Sequence, residues 1–120
     1  MQKALQINFR NLDHSDAIEA AVRKYAEKLT QLNSEIISCR VTIESPHKHQ
    51  YKGKLYHVVV DVKVPGKELV VSRMPDDHQA HEDVYVAIRD AFDAANRRIQ
   101  QYTAKRRARS KGRGGTNNGG

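Results

Sequence analysis

The sequence predicts an α+β fold: a two-layer sandwich in the order β-α-β-β-β-α, with a four-stranded sheet and two helices packed on one face. Three observations predict it. Four segments alternate apolar and polar residues, the period of a half-buried strand. Two segments repeat apolar residues every three or four positions, the period of an amphipathic helix. Every element therefore has one apolar face, and two layers are the simplest way to bury all of them together. A length of 120 residues suits a single core.

KALQINFR opens the chain as a strand, with Leu5, Ile7 and Phe9 on one side and Gln6, Asn8 and Arg10 on the other. Asn11 to His14 break the alternation. SDAIEAAVRKYAEKLTQL then reads as a helix whose stripe is Ile18, Val22, Tyr25, Leu29 and Leu32. Ser15 suits its N-cap, and Asp16 and Glu19 favour the positive helix start. Arg23, Lys24 and Lys28 point away from that stripe, as charges on an ordinary exposed face also do. EIISCRVTIES returns to period two, with Ile37, Cys39, Val41 and Ile43 inward. PHKHQYKGK is a polar loop. LYHVVVDVKV is the next strand, with Tyr56, Val58, Val60, Val62 and Val64 inward. Pro65-Gly66 signals a tight turn, and KELVVSRM follows with Leu69 and Val71 inward. The three strands between the helices form an antiparallel meander, and a right-handed crossover through the first helix sets the first two strands side by side or nearly so. The outer sheet face is polar apart from Val59 and Val70.

PDDHQAHE is a second polar loop. The last helix begins near Glu82 or Asp83 and carries Val84, Tyr85, Ile88, Ala91, Phe92, Ala95, Ile99 and Tyr102 on its stripe. It is expected to fray between Tyr102 and Ser110, after roughly 35 Å at ~1.5 Å per residue. GRGGTNNGG is disordered by composition.

Charge is distributed unevenly. Eight of the 21 lysines and arginines lie from Arg97 onward, and no acid follows Asp93. The preceding chain balances 13 bases against all 14 acids, so the net +7 arises in its final stretch. That asymmetry points to a polyanion partner; its plainer reading is a solvated tail that aids solubility. No run of apolar residues is long enough for a membrane span, and the start has no hydrophobic signal region, so a cytoplasmic location is expected. A single cysteine, Cys39, forms no internal disulfide and reads as a buried side chain.

Motifs for catalysis are missing. There is no G-x-S-x-G elbow and no phosphate-cradling G-x-x-x-x-G-K-[ST] loop. Gly112, Gly114 and Gly115 follow a helix rather than a strand. Asp76 and Asp77 are adjacent and lack the contrasting environments of a tuned pair. His47 and His49, and His78 and His81, are ligand types zinc accepts, but their spacing fits no closed zinc motif. The expectation is a non-enzyme with no cofactor and no bound metal.

INFRNLDHSDAIEAAVRKYAEKL, the VPGKELVVS hairpin and EDVYVAIRDAFDAANRRI resemble the ribosome hibernation promoting factor and ribosome-associated inhibitor family. Asp83, Tyr85, Ala87 and Ile88 match its D-x-Y-x-A-I helix opening. The resemblance implies a short-form, non-catalytic translation inhibitor. Such a factor binds the small ribosomal subunit, its 16S-type rRNA and ribosomal proteins, in the mRNA and tRNA channel, and silences idle ribosomes under stress or in stationary phase. Residues 1–105 become the ribosome-binding α/β domain and 106–120 a basic, glycine-rich disordered tail. No membrane partner is implied, and the chain is expected to be monomeric off the ribosome. Arg97, Arg98, Arg106 and Arg107 are the foremost rRNA-binding candidates, because a guanidinium forks onto phosphate and stacks on bases. Lys105 lies among them. Lys28 matches a basic position of the family's first helix, and Arg23 and Lys24 extend that patch. Tyr85 is assigned to core packing. Ala94 and Gln101 stand where inhibitor-type relatives place lysines. The PDDHQAHE loop is longer than the family's, and its histidines would add charge near pH ~6. The rivals are a general RNA-binding or RNA-chaperone module and a metal-binding protein using the histidine loops. The layering also resembles a double-stranded RNA-binding fold, with a different element order.

Overall fold

A computed structural model of the chain describes residues 4–45, 56–73 and 83–114, of which 110–114 are described as backbone alone. The elements are β1 (Ala4–Arg10), α1 (Asp16–Leu32), β2 (Ser38–Glu44), β3 (His57–Val64), β4 (Lys67–Arg73) and α2 (Val84–Gly114). They form the expected two-layer α+β fold. The sheet order is β1-β2-β3-β4, with β1 parallel to β2 and the other pairs antiparallel. The two histidine-bearing loops, with His47, His49, His78 and His81, lie outside the described residues.

Local chemistry explains the punctuation. Asn11 takes φ 60, a left-handed conformation that asparagine tolerates, and so ends β1. Ile18 N–H donates to Ser15 Oγ at 3.2 Å, closing the N-cap of α1. Tyr85 N–H donates to Asp83 Oδ1 at 2.8 Å, and Ala87 N–H to Asp83 O at 3.0 Å, so Asp83 caps α2. Pro65 fixes one turn dihedral, and Gly66 supplies φ 81 at the next, the type II combination.

The core lies between the sheet's inner face and the helices. Val41, Ile43, Val58, Val60, Val62 and Val64 meet Val22, Ala87, Ile88, Ala91 and Ile99, all almost fully buried. Tyr25 and Phe92 stack at 5.9 Å, joining α1 to α2. At the sheet edge, Leu5, Ile7 and Phe9 are only partly covered.

Three inward assignments shift by one position or one turn. Leu32 is 57% exposed, because it is the last residue of α1 and the C-cap Asn33 takes the next buried position after Leu29. Ile36, not Ile37, fills the core: Ser34 and Glu35 turn the chain and β2 starts at Ser38, so the two-residue alternation does not extend back to Ile37, which is 50% exposed. Tyr85 is 42% exposed and Ala87 takes the buried place in the first turn of α2, since residues 84, 87, 88 and 91 form the sheet-facing stripe. Helix α2 also continues to Gly114, past the expected fraying zone, giving about 46 Å at ~1.5 Å per residue. Ala104, Lys105, Arg106, Arg107, Ala108 and Arg109 are good helix formers that sustain it.

Candidate functional site: a cationic helical layer

The sheet's two faces differ sharply in charge. On the uncovered face, register sets Arg10 beside Glu44, Arg40 beside Asp61, and Lys63 beside Glu68. That face is self-neutralised. Asp61 has its pKa raised by burial first, then by the hydrogen bond its protonated carboxyl donates to Glu68 and by that residue's charge, while Arg40 opposes the rise.

The helical layer instead carries the excess positive charge, and α2 supplies it: α1 balances Arg23, Lys24 and Lys28 against Asp16, Glu19 and Glu27. On α1, Arg23, Lys24 and Lys28 are exposed. Arg23 forks onto Glu19 Oε2 at 2.8 and 3.1 Å. The carboxyl of Glu19 lies below its usual pKa range, first through its hydrogen bond with His14 and then through Arg23. Lys24 and Lys28 make no ion pair or hydrogen bond among the described residues. Lys28 follows Tyr25, which stacks on Phe92 of α2, by three positions and is exposed.

Helix α2 sorts its cations by flank. Arg97 lies two residues before the buried Ile99 and so faces away from the sheet. Arg98, Lys105 and Arg109, spaced by seven and four, share the flank next to β4, where Arg98 Nη1 donates to Val70 O at 3.1 Å. Arg107 lies on the opposite flank. With Leu32, Asn33, Glu35, Gln100 and Thr103 it lines an open cleft of about 300 Å³ at the end of α1. Arg106 lies between the flanks and turns inward, Nη1 donating to Pro65 O at 3.1 Å. Arg97, Lys105, Arg107 and Arg109 are exposed and unpaired among the described residues. The eight sequence-predicted cations thus fall into two sets: Arg23, Arg98 and Arg106 hold partners within the fold, and Lys24, Lys28, Arg97, Lys105 and Arg107 do not.

Sequence reasoning missed Asn33. Its Nδ2 donates to Leu29 O at 2.9 Å and to Asn96 Oδ1 at 2.8 Å, capping α1 and fixing it to α2 beneath the cationic surface. An asparagine directly after an amphipathic run was its only signal in the sequence.

Other clusters have structural explanations. His14, Asp16 and Glu19 bring possible metal-ligand atoms within 4.8 Å of one another. However, His14 Nε2 already lies 2.6 Å from Glu19 Oε1, and Arg23 occupies the other oxygen. His57 joins Ser72 Oγ at 2.6 Å and Glu44 Oε1 at 3.5 Å across three strands. This resembles a nucleophile, base and orienter, but Ser72 lies within the extended strand β4, with no turn or helix N-terminus beside it to aim N–H donors at an oxyanion. Cys39 is buried, and burial, followed by the charge of Asp61, pushes its thiol pKa up to about 12. It is protonated and inert at neutral pH.

The fold and this surface together define a class: a small α+β module that is neutral on its open sheet face and cationic along its last helix. The chain belongs to the sigma 54 modulation protein / S30EA ribosomal protein family, whose model matches residues 5–107. No curated protein sequence matches it. Among solved structures it is similar to a ribosomal subunit interface protein from Coxiella burnetii, at 18% identity and TM-score 0.66, covering 84% of this chain and 98% of that one. It is also similar to the N-terminal domain of Protein Y from Thermus thermophilus, at 20% identity and TM-score 0.64, covering 84% and 99%. These likenesses establish the fold, and the family match bears out the resemblance read from the sequence. No helix among the described residues is long and apolar enough to cross a membrane.

Proposed function

We propose that the chain is a non-catalytic ribosome hibernation factor. Its helical layer enters the mRNA and tRNA channel of the small subunit and silences idle ribosomes under stress, in the cytoplasm. The observation that carries this reading is the segregation of unpaired cations onto α1 and α2 in a member of a ribosomal protein family. The related structure named as a subunit interface protein supports the location. Lys24, Lys28, Arg97, Lys105 and Arg107 meet rRNA phosphates directly. Arg23 and Arg98 contribute from anchored positions, Arg23 by exchanging a surface pair with Glu19 that is worth little in water. The protein acts as a monomer, and inhibition comes from occupancy, with no bond made or broken.

The test is co-sedimentation with ribosomal particles together with cell-free translation, using the full chain and a chain lacking residues 105–120. The full chain is expected to travel with ribosomal particles at physiological salt and to reduce peptide synthesis at stoichiometric dose. The truncated chain should need more protein, because each lost phosphate contact lowers the logarithmic salt slope by ~0.7–0.9. A chain that spreads over all RNA without slowing translation is a general RNA binder, and the proposal falls.

A further inference from the structure

We infer that Arg106 is a positioning residue rather than a phosphate ligand: with Tyr102 it clamps the basic end of α2 onto the β3–β4 turn and thereby sets the direction of the cations on either side. This rests on the reading above and deepens it.

The stripe of α2 that faces the sheet runs Ala95, Ile99, Tyr102, Arg106, in steps of four, three and four. Arg106 therefore occupies the next position on the inward face, where the sheet ends and its turn begins. Two side chains converge there on one backbone oxygen: Tyr102 Oη donates to Pro65 O at 2.9 Å and Arg106 Nη1 to the same oxygen at 3.1 Å. A carbonyl has two lone pairs, so both bonds can be made together. The guanidinium lies over the Tyr102 ring, 5.7 Å from its centre. On its other side Nη1 is 3.8 Å from Glu35 Oε1, a buried oxygen without a hydrogen bond. The turn fits beneath because it is glycine: a Cβ on Gly66 would come within 3.2 Å of Tyr102 Oη.

Beyond Ile99 no described side chain of α2 is fully buried. A helix end without a core contact frays unless something holds it. The clamp is the last tertiary attachment among the described side chains. Lys105, Arg107 and Arg109 flank it by one to three residues, so its integrity decides whether they meet a polyanion as a fixed array or as a frayed segment. Ordering such a segment at the moment of binding would weaken affinity without changing how many counterions are released.

That separation is the test. Ribosome affinity is measured across a salt series for the full chain and for Arg106→Gln, Tyr102→Phe and Arg107→Gln, alongside amide hydrogen exchange of residues 103–109 in the free proteins. Arg107→Gln should lower the slope by ~0.7–0.9 and leave exchange unchanged. Arg106→Gln and Tyr102→Phe should weaken binding by roughly three- to tenfold with the slope retained, and should speed exchange at 103–109. Tyr102→Phe changes no charge, so a loss of affinity there cannot come from a missing phosphate contact. If Arg106→Gln lowers the slope as Arg107→Gln does, Arg106 is a ligand and the inference is wrong. Unchanged exchange and affinity in both clamp variants would also overturn it. A wild-type chain that ignores ribosomes sinks the functional reading, while the exchange measurement still decides whether the clamp orders the helix end.

Discussion

The two halves of α2 are one continuous helix held by different physics. In 84–99, Val84, Ala87, Ile88, Ala91, Phe92, Ala95 and Ile99 are buried against the sheet and α1. In 100–114 no described side chain is fully buried, and the helix persists through propensity and the attachment at Pro65. The first half supplies fold stability and the second supplies charge. The difference shows how a small domain can carry concentrated positive charge without placing it among its packed side chains, where desolvation would be costly.

The comparison can be broken at several strengths. Phe92→Ala removes a ring stacked on Tyr25 from the buried half, and chemical denaturation should show a loss of about 3–5 kcal/mol. An effect below about 1 kcal/mol would mean that the helices are not packed as described. Gly66→Ala forces a side chain into φ 81 under Tyr102 and should cost about 1–2 kcal/mol, read as a lower Tm.

Glu68→Gln relieves the carboxylate crowding that raises the pKa of Asp61. A raised folded pKa gives an acid stability that is present at low pH and lost as pH rises through that value. The variant should therefore match wild type in acid and exceed it at neutral pH by roughly 0.2–1 kcal/mol, the range for cross-strand pairs. Identical pH profiles would show that Glu68 does not act on Asp61. Smallest in stability is the triple change Lys105→Gln, Arg107→Gln and Arg109→Gln. It should alter unfolding free energy by less than about 0.5 kcal/mol while lowering the salt slope for ribosome binding by roughly 2–2.7. A large destabilisation would show that the second half of α2 supports the fold after all.

Most of the fold was legible because its signals are local. Period-two runs located all four strands, Ser15 located the start of α1, the start of α2 at Val84 fell beside the expected Glu82 or Asp83, and Pro65-Gly66 located the hairpin. The misplaced residues sit where an element ends. Ile37 was assigned inward by extending the alternation one residue before the start of β2, into the short segment that follows the Ser34–Glu35 turn. Tyr85 was assigned to the core because a stripe read from the sequence alone does not show which side of the first turn meets the sheet. In the candidate site, the positions of the cations were legible but their partners were not. Arg98 reaches a carbonyl 28 residues away and Arg106 one 41 residues away, contacts that only tertiary packing creates. Asn33 escaped for the same reason, since its role depends on Asn96.

The uncovered sheet face has one more consequence. Because each of its bases stands next to an acid on the neighbouring strand, it exerts almost no net pull, while the opposite side exerts a strong one. The molecule is an electrical arrow. In the field of a large polyanion it would be torqued helices-first before first contact, which shortens the rotational search that otherwise slows encounter.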